Sequence, residues 1–325
     1  MDKTETIKNL FPREFHGMLK RLPDIVEDLQ EIRLRVNCPC IFIVGRKEKY
    51  PSKDGSLSEK REDAAVLNKD EIAAVFNHIC NYSPYAYESQ LRQGYLTVAG
   101  GHRVGIFGQT VMEGNTVVLM KQVQFLHIRI VHEVKGVAKN ILPFLYEDGQ
   151  ILNTLVISPP GAGKTTMLRD IARMASDGNP FHPGLQVCII DERSEIAGSF
   201  MGVPQNHVGL RSDVLDGCPK AVGMLMAIRA MGPQLIVVDE LGLKEDYEAL
   251  VCASGCGIKL LASIHGNDLL DVWKKHGAEK NVFKEVFQRF LILSWERNGR
   301  DMKQRWEILD GDGNVLGRKR GEEKP

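Results

Sequence analysis

The sequence has 325 residues, 43% of them hydrophobic and 26% charged, and its 42 basic and 42 acidic side chains cancel. This balance argues against a strongly basic nucleic-acid-binding protein or an acidic tail. The length favours two domains over one. The first ten residues are polar and mixed in charge, and no run approaches the ~18 consecutive apolar residues of a membrane span, so we expect a cytoplasmic protein. Seven scattered cysteines, an odd number without zinc-ribbon spacing, favour buried reduced thiols.

The first elements along the chain predict a mixture of helix and strand. Apolar residues recur at helical spacing over residues 15–29, which predicts an amphipathic helix. The segments EIRLRV and CIFIVG, separated by NCP, predict two short strands because apolar and polar residues alternate and the proline interrupts the run. The polar residues 46–63 then predict an exposed loop.

The next segments complete a predicted N-terminal α+β domain. Asn68 followed by Glu71 has the spacing of a capping box before an apolar helix face. Residues 94–119 combine β-branched runs with glycine pairs and an EGN turn, which predicts antiparallel strands and hairpins. We expect the domain boundary near residue 132, dividing the chain into domains 1–132 and 133–325.

Beyond residue 132, strand-like and helix-like segments alternate. In order they are ILNTLVI, TTMLRDIARMAS, LQVCIID, CPKAVGMLMAIRAM, QLIVVDE, EDYEALVCAS and IKLLASIH. This alternation predicts an α/β core with a mainly parallel sheet and helices on both faces. After FLILSWERNG we expect a C-terminal β-hairpin and a short charged tail. The DGDGN stretch at 310–314 predicts a hairpin turn rather than a calcium loop, because the twelfth position is Gly321 where a bidentate glutamate is needed.

The stretch SPPGAGKTT matches a phosphate-binding loop, with Ser158 at the position that usually holds glycine. Gly161 and Gly163 permit positive φ and a close backbone approach to phosphates, Lys164 supplies a cation, and the Thr165 hydroxyl can bind Mg²⁺. The alternative is a Gly/Pro-rich surface turn, but strand, loop and helix occur here in the expected order. The predicted nucleotide-binding residues are Ser158, Pro159, Pro160, Gly161, Ala162, Gly163, Lys164, Thr165 and Thr166.

Acidic residues end two further predicted strands. Asp239 and Glu240 follow LIVV, where Asp239 could hold Mg²⁺ through a water and Glu240 could orient and polarise an attacking water. Asp191, Glu192 and Arg193 follow VCII, with Glu195 close behind, and the acidic residues of this segment could share metal and water contacts. The alternatives are a solvated acidic turn in the first case and a salt-bridged loop in the second.

Other candidates have less specific signals. His265 ends the strand LLASI and could sense the γ-phosphate, although a hydrogen-bonded structural histidine is the alternative. Phosphoryl transfer also benefits from a cation supplied late, and the candidates are Arg103, Arg129, Arg211 and Arg229. For each arginine alone, an ordinary ion pair is the simpler interpretation.

The order of SPPGAGKTT, IIDERSEIAG, AIRAMGPQLIVVDELG and SIHGND resembles that of the hexameric ATPases of type II and type IV secretion systems, which have a P-loop, an acidic box, a Walker B motif and a His box in this order. With EIRLR, GGHRVGIFG and GCPKAVGMLMAIRAM included, the chain is more similar to the stage III sporulation AA family of endospore-forming bacteria. The resemblance spans residues 31–265. It departs at Ser158, and at the Asp239-Glu240 pair, where secretion ATPases commonly have Gly-Glu.

The resemblance implies a RecA-like P-loop NTPase core preceded by a small α+β N-terminal domain that helps to close over the nucleotide. It further implies a hexameric ring, a membrane-anchored sporulation partner, and a mother-cell location, either cytoplasmic or peripheral at the forespore membrane. Carried over by residue, Gly161, Gly163, Lys164 and Thr165 form the cradle, Glu192 and Glu195 the acidic box, Asp239 and Glu240 the Walker B motif, and His265 the His box.

We therefore expect a Mg²⁺-dependent ATPase that energises a membrane-associated sporulation complex. Its expected catalytic residues are Glu240, Glu192 and His265, and its Mg²⁺ ligands Thr165 and Asp239. Two alternatives remain open: a nucleic-acid motor or helicase loader, and a scaffold that binds ATP without hydrolysing it. The neutral net charge and the lack of a basic, aromatic-interleaved stretch count against the first, so we expect no nucleic-acid partner.

Overall fold

The structure is a computed structural model, and it describes residues 2–277, 280–298 and 301–319. The described chain divides into two compact units. The N-terminal unit contains the residues up to His132 together with Gly198–Gln205, and the C-terminal unit contains Glu133–Ala197 and the residues from Asn206 onward. The charged tail predicted at the chain end lies largely beyond residue 319, outside the described residues.

The N-terminal unit is an antiparallel sheet flanked by short helices. Its helices are α1 (Lys3–Lys8), α2 (Leu22–Ile25), α3 (Lys69–Ile79) and α4 (Glu88–Arg92). Its strands are β1 (Leu29–Arg35), β2 (Ile41–Val44), β3 (Lys47–Pro51), β4 (Leu57–Ser58), β5 (Tyr95–Thr97), β6 (Arg103–Glu113) and β7 (Thr116–Arg129). They are ordered β4-β3-β2-β1-β7-β6-β5, and neighbouring strands pair antiparallel.

Two predictions for this unit are wrong. Residues 15–29 do not form one helix, because Pro23 lies in the first turn of α2 and has no backbone N–H to bond the carbonyl of Leu19, so α2 cannot extend back over residues 15–21. The apolar residues Met18, Leu19 and Leu22 are nevertheless buried as the pattern required. The polar loop predicted over 46–63 instead contains β3 and β4. Here Gly45 and Arg46 both have positive φ and form a two-residue turn that pairs Val44 with Lys47.

Other local predictions for this unit are confirmed. The Asn68 side chain accepts a hydrogen bond from the Glu71 backbone N–H at 2.9 Å, and the Glu71 carboxylate accepts one from the Asn68 backbone N–H at 2.7 Å. This reciprocal capping box begins α3. The strands β5, β6 and β7 form the expected antiparallel hairpins.

The C-terminal unit alternates strands and helices before ending in a β-hairpin. Its helices are α5 (Leu142–Leu145), α6 (Lys164–Asp177), α7 (Lys220–Ala230), α8 (Lys244–Gly255), α9 (Leu269–Lys275) and α10 (Lys280–Val286). Its strands are β8 (Tyr146–Glu147), β9 (Gln150–Ile151), β10 (Thr154–Ser158), β11 (Val187–Asp191), β12 (Ser212–Asp216), β13 (Leu235–Val238), β14 (Lys259–His265), β15 (Arg289–Asn298), β16 (Asp301–Asp310) and β17 (Val315–Lys319).

The main sheet of this unit has the order β12-β11-β13-β14-β10-β15-β16-β17. The strands from β12 to β15 pair in parallel, and β16 and β17 add an antiparallel edge. Successive residues of β10 enter different cores: Val156 packs in the cluster that contains α6, and Leu155 and Ile157 pack in the cluster that contains α7 and α8. The predicted mainly parallel sheet with helices on both faces is therefore confirmed.

The register of the parallel strands brings their carboxyl ends to one edge of the sheet. Ser158 of β10 is opposite His265 of β14, and Val238, the last residue of β13, is opposite Ile190 of β11 and Ala262 of β14. Because open parallel sheets bind ligands at this edge, the register positions the candidate site.

In the antiparallel part of the sheet, a turn joins β16 to β17. The Asp310 carboxylate accepts hydrogen bonds from the backbone N–H groups of Asp312 and Asn314 in this turn.

The packing of α7 on β11 gives a testable expectation. A Cβ at Gly223 would lie 2.5 Å from Cγ2 of Ile190, a buried side chain, so we expect Gly223→Ala to destabilise the protein by about 1–3 kcal/mol. The control is Gly255→Ala in α8, where a new Cβ meets no atom within 4 Å and the better helix propensity should add up to ~1 kcal/mol. Urea denaturation of both variants checks this, and equal effects would contradict the described packing.

Candidate functional site

A glycine-containing loop joins β10 to α6. Gly161 and Gly163 have φ values of 75° and 87°, in the left-handed region that favours glycine. Helix α6 begins at Lys164, directly after Gly163, so the first N–H groups of the helix lie at the end of the loop. Pro160 and Gly161 are exposed at the tip of the loop, and Ala162 is buried beneath it. The arrangement has the features of an anion site at a helix N-terminus.

Ser158 belongs to the sheet more than to the loop. It is fully buried as the last residue of β10, and its hydroxyl donates a hydrogen bond to the Pro159 carbonyl at 3.0 Å. Its own carbonyl accepts a hydrogen bond from the Gly266 backbone N–H at 3.2 Å. The serine hydroxyl thus has its hydrogen-bond partner in the adjacent residue. Pro159 and Thr166, two further predicted nucleotide-binding residues, are half-buried.

Lys164 is a buried cation held between two carboxylates. Only 6% of its side chain is exposed, and its Nζ lies 3.5 Å from Oδ1 of Asp239 and 3.4 Å from Oε1 of Glu240. The adjacent Thr165 hydroxyl donates a hydrogen bond to Oδ2 of Asp239 at 2.8 Å. The end of β13 and the start of α6 are therefore joined by an ion-pair and hydrogen-bond cluster, which we name the Lys164 cluster: Lys164, Thr165, Asp239 and Glu240.

Strand β14 supports both carboxylates of this cluster. The Ser263 hydroxyl donates a hydrogen bond to Oδ1 of Asp239 and accepts one from the Glu240 backbone N–H at 3.0 Å. Two residues further on, Nε2 of His265 lies 2.9 Å from Oε1 of Glu240. Because side chains two apart on a strand point to the same face, β14 presents Ser263 and His265 together to the cluster.

Glu240 has an unusual backbone and a crowded carboxylate. Its φ is 54°, a left-handed conformation that is uncommon for a non-glycine residue and is enriched at functional sites. Besides Lys164 and His265, it contacts Arg193, whose Nη1 donates a hydrogen bond to Oε2 at 2.9 Å. Partial burial acts to raise the pKa of Glu240, but the attraction of Lys164, His265 and Arg193 outweighs it and holds the pKa below its usual value. The side chain is therefore ionised at neutral pH.

The acidic segment after β11 reaches the same region. A narrow cleft is lined by Asp191, Glu192, Arg193, Glu195, Lys220, Asp239 and Glu240. Glu192 forms an ion pair with Lys220, the first residue of α7. Glu192 thus lines the same cleft as Asp239 and Glu240, as the sequence predicted, but its carboxylate is paired with Lys220.

Asp191, unlike Glu192 and Arg193, is buried and binds backbone N–H groups. It is 2% exposed, and its carboxylate accepts hydrogen bonds from the backbone N–H groups of Glu195, Ile196 and Ala197 at 2.8–3.2 Å. The guanidinium of Arg169 on α6 donates to the carbonyls of Glu195 and Ile196 from the other side. These contacts fix the loop that carries Glu192 and Arg193. Burial raises the pKa of Asp191 to about 6, and the three backbone hydrogen bonds oppose this shift.

The arginines singled out by sequence make other contacts. Arg103 lies over the ring of Tyr95 at 3.6 Å, and Arg129 is 4.0 Å from Glu31. Arg211 donates to the Ser176 carbonyl at 2.9 Å, and Arg229 is exposed on α7. The arginine that does contact the Lys164 cluster is Arg193, which sequence reasoning named only as part of an acidic segment.

Sequence reasoning also missed Ser263 and Lys220. A signal for Ser263 exists, since it lies two residues before His265 on a predicted strand and must share its face. Lys220 carries no such local signal, because its pairing with Glu192 depends on how α7 packs against β11.

The residue types at the cluster fit Mg²⁺ together with a phosphate chain. Oγ1 of Thr165 and Oδ2 of Asp239 lie 2.8 Å apart, and both are oxygen atoms of the kind that Mg²⁺ prefers as ligands. Within residues 2–277, 280–298 and 301–319, no group of at least three His, Cys, Asp or Glu side chains could hold a metal ion. A Mg²⁺ ion here would therefore depend on phosphate oxygens and water for its remaining ligands, as it does in nucleotide sites.

The glycines of the loop allow a paired test. Gly163→Ala and Gly161→Ala each force a left-handed alanine, at a cost of roughly 1–2 kcal/mol. A Cβ at Gly163 would also lie 2.6 Å from Nε2 of Gln304 and displace the hydrogen bond that this amide donates to the Ala162 carbonyl, whereas at Gly161 the space is open. We expect the larger fall in thermal unfolding temperature for Gly163→Ala. Equal falls would show that Gln304 does not support the loop.

The buried Asp191 predicts a pH dependence of stability. The folded protein holds a proton on this carboxyl up to about pH 6, whereas an unperturbed aspartate releases it near 3.8. The folded state binds more protons between these values, so this contribution to the free energy of unfolding falls by roughly 2 kcal/mol as pH rises from about 4 to about 6. Urea denaturation at several pH values checks this against Asp191→Asn, which cannot titrate. Parallel pH profiles for wild type and variant would contradict the expectation.

None of the helices in the described part of the chain combines the length and the hydrophobicity that a membrane span requires.

Comparison with solved structures shows similarity to the Legionella pneumophila ATPase DotB, at a TM-score of 0.58 and 14% identity over 92% of this chain and 82% of that one. The pilus retraction motor PilT, solved with bound ADP, is similar at a TM-score of 0.60 and 14% identity, over 90% of this chain and 82% of that one. These similarities show that the fold is RecA-like, with an N-terminal domain before a P-loop core.

Sequence comparison identifies the family. The stage III sporulation protein AA of Bacillus subtilis (strain 168) is 38% identical over 316 residues, which cover 97% of this chain and 98% of that protein. The family model "Sporulation stage III, protein AA" matches residues 1–315. The chain therefore belongs to the sporulation stage III protein AA family, as the motif order predicted.

Proposed function

We propose that this protein is a Mg²⁺-dependent ATPase that converts ATP and water into ADP and phosphate. The observation that carries the proposal is the Lys164 cluster, in which a buried ammonium follows a glycine loop and meets two carboxylates at the carboxyl edge of a parallel sheet. Buried cations are costly unless paired, so a lysine in this position needs a specific anionic partner. The phosphate chain of a nucleotide would be a further such partner.

Binding would use the loop and the start of α6. The backbone N–H groups between Gly161 and Thr165 would donate to the phosphates, with the favourable end of the helix dipole behind them. The ammonium of Lys164 has three donors, and its contacts of 3.4–3.5 Å with the carboxylates are long for charge-assisted hydrogen bonds. Lys164 is thus able to exchange part of this pairing for phosphate oxygens.

Hydrolysis would depend on Glu240. Its depressed pKa keeps it ionised, so it can accept a hydrogen bond from a water molecule and orient that water for attack. His265 and Arg193 hold its carboxylate from two sides, and Ser263 fixes its backbone. Asp239 and Thr165 would hold Mg²⁺, which, when bound, neutralises charge that develops on the phosphates. We assign Glu192 to the same cleft as a further catalytic candidate.

The family and the fold support a proposal for the wider role. PilT is described as a retraction motor and DotB as an ATPase, and this chain shares their fold. We infer that the protein works as a homo-oligomeric ring, a hexamer by resemblance, and energises a membrane-anchored sporulation complex from the mother-cell side. The balance of 42 basic and 42 acidic residues supports a protein partner over nucleic acid.

Phosphate release in Mg²⁺-ATP tests the enzyme proposal. We expect Lys164→Ala to lose ATP binding, and Glu240→Gln to keep ATP binding while turnover falls by ~10²-fold or more. Lys244→Ala is the matched control, because this lysine is 81% exposed at the start of α8 and pairs only with Glu248 among the described ion pairs. It should retain wild-type turnover.

Two results would count against hydrolysis. Wild-type phosphate release no higher than that of Lys164→Ala, with membrane partner supplied, would contradict the enzyme proposal. Tight ATP binding with equal function of wild type and Glu240→Gln in cells would favour the non-hydrolysing scaffold. Solution mass measured in the same samples, with and without Mg²⁺-ATP, tests the ring, and a monomer across micromolar concentrations would contradict it.

A further inference from the structure

The β15–β16 hairpin holds the phosphate loop from the side opposite the carboxylates. Strand β15 pairs in parallel with β10 as far as Ile157 and then continues past the point where β10 turns into the loop. In this continuation, Trp295 of β15 is directly opposite Gln304 of β16. The indole Nε1 donates a hydrogen bond to the Gly161 carbonyl at 3.0 Å, and Nε2 of Gln304 donates to the Ala162 carbonyl at 2.5 Å.

Trp295 is unusually exposed for a tryptophan side chain. It is 41% exposed, although tryptophan is highly buried on average. Trp306, on the partner strand of the same hairpin, instead packs its ring against Phe144 with centroids 6.0 Å apart. The hairpin thus places an indole, tied at its N–H and still accessible to solvent, directly beside the phosphate loop.

The sheet order fixes which end of a bound nucleotide would lie near this indole. The inference rests on the proposed function, in which the γ-phosphate lies toward Glu240 and His265. These residues follow β13 and end β14, and the order β13-β14-β10-β15 puts them on one side of the loop and Trp295 on the other. A triphosphate chain with its γ end on the β14 side directs its nucleoside end to the β15 side.

We propose that Trp295 is the platform on which the nucleobase of the bound nucleotide stacks. The indole N–H bond to Gly161 fixes the ring against the loop, and Gln304 braces the next carbonyl, so the ring is oriented before the nucleotide binds. A preorganised ring loses little conformational entropy on binding. Because every base has a π face, this platform accepts adenine and guanine alike and adds affinity more than base selectivity.

Calorimetric titration of the full-length protein with ADP, GDP and tripolyphosphate in Mg²⁺ tests the proposal. Tripolyphosphate has no base and reports on the cradle alone. We expect Trp295→Ala to weaken ADP and GDP binding by roughly ten-fold or more and to leave tripolyphosphate binding within about two-fold of wild type. Trp295→Phe keeps an aromatic face without the N–H donor, and should bind ADP within a few-fold of wild type. Trp306→Phe is the matched control and should bind all ligands as wild type does.

The alternative outcomes separate the two proposals. If Trp295→Ala weakens ADP and tripolyphosphate equally, or if Trp295→Phe binds ADP as poorly as Trp295→Ala, Trp295 only supports the loop and the platform is wrong. If the wild type binds neither ADP nor tripolyphosphate, the proposed function itself fails.

A fluorescence measurement covers the case in which Trp295→Ala does not fold. In a Trp273→Phe/Trp306→Phe background, Trp295 is the remaining tryptophan of the sequence. ADP should change its emission substantially more than tripolyphosphate does. Equal changes with the two ligands would overturn the proposal.

Discussion

The pairing of one buried ammonium with two carboxylates organises the carboxyl edge of the sheet. Lys164 is 6% exposed, and neither Asp239 nor Glu240 is fully exposed to water, so each of these charges depends on the others to offset the loss of hydration. The neighbouring features serve this pairing. Ser263 fixes the Asp239 carboxylate and the left-handed backbone of Glu240, and His265 and Arg193 contact the outer side of Glu240.

The parallel sheet makes this pairing possible, since its register aligns the ends of β10, β13 and β14 at one edge. Two further sets of hydrogen bonds hold the loops next to this pairing. Buried Asp191 collects three backbone N–H groups and holds the loop that carries Arg193, and the β15–β16 hairpin holds the phosphate loop through two carbonyls. The site therefore depends on two loops that are held by different segments of the chain, and the P-loop motif by itself identifies only one of them.

The parallel core and the candidate site could be predicted because both have local signals: apolar runs that end in acidic residues, and a glycine loop between a strand and a helix. Arg193 and Gln304 could not be assigned their contacts, since these depend on how distant segments pack. The errors in the N-terminal unit have local causes that the periodicity concealed. Pro23 prevents α2 from extending toward the N-terminus although the apolar spacing was correct, and a two-residue turn at Gly45 and Arg46 pairs β3, which lies in the polar stretch, with β2. Polarity there indicated exposure, not the absence of secondary structure.

The most direct test of the central claim is a crystal structure with Mg²⁺ and a non-hydrolysable ATP analogue. The account predicts phosphate oxygens within hydrogen-bond distance of the Lys164 ammonium, Mg²⁺ beside the Thr165 hydroxyl, and Glu240 facing the γ-phosphate across a water. An analogue bound elsewhere, with Lys164 still paired as it is now with Asp239 and Glu240, would contradict the claim that this cluster is a nucleotide site.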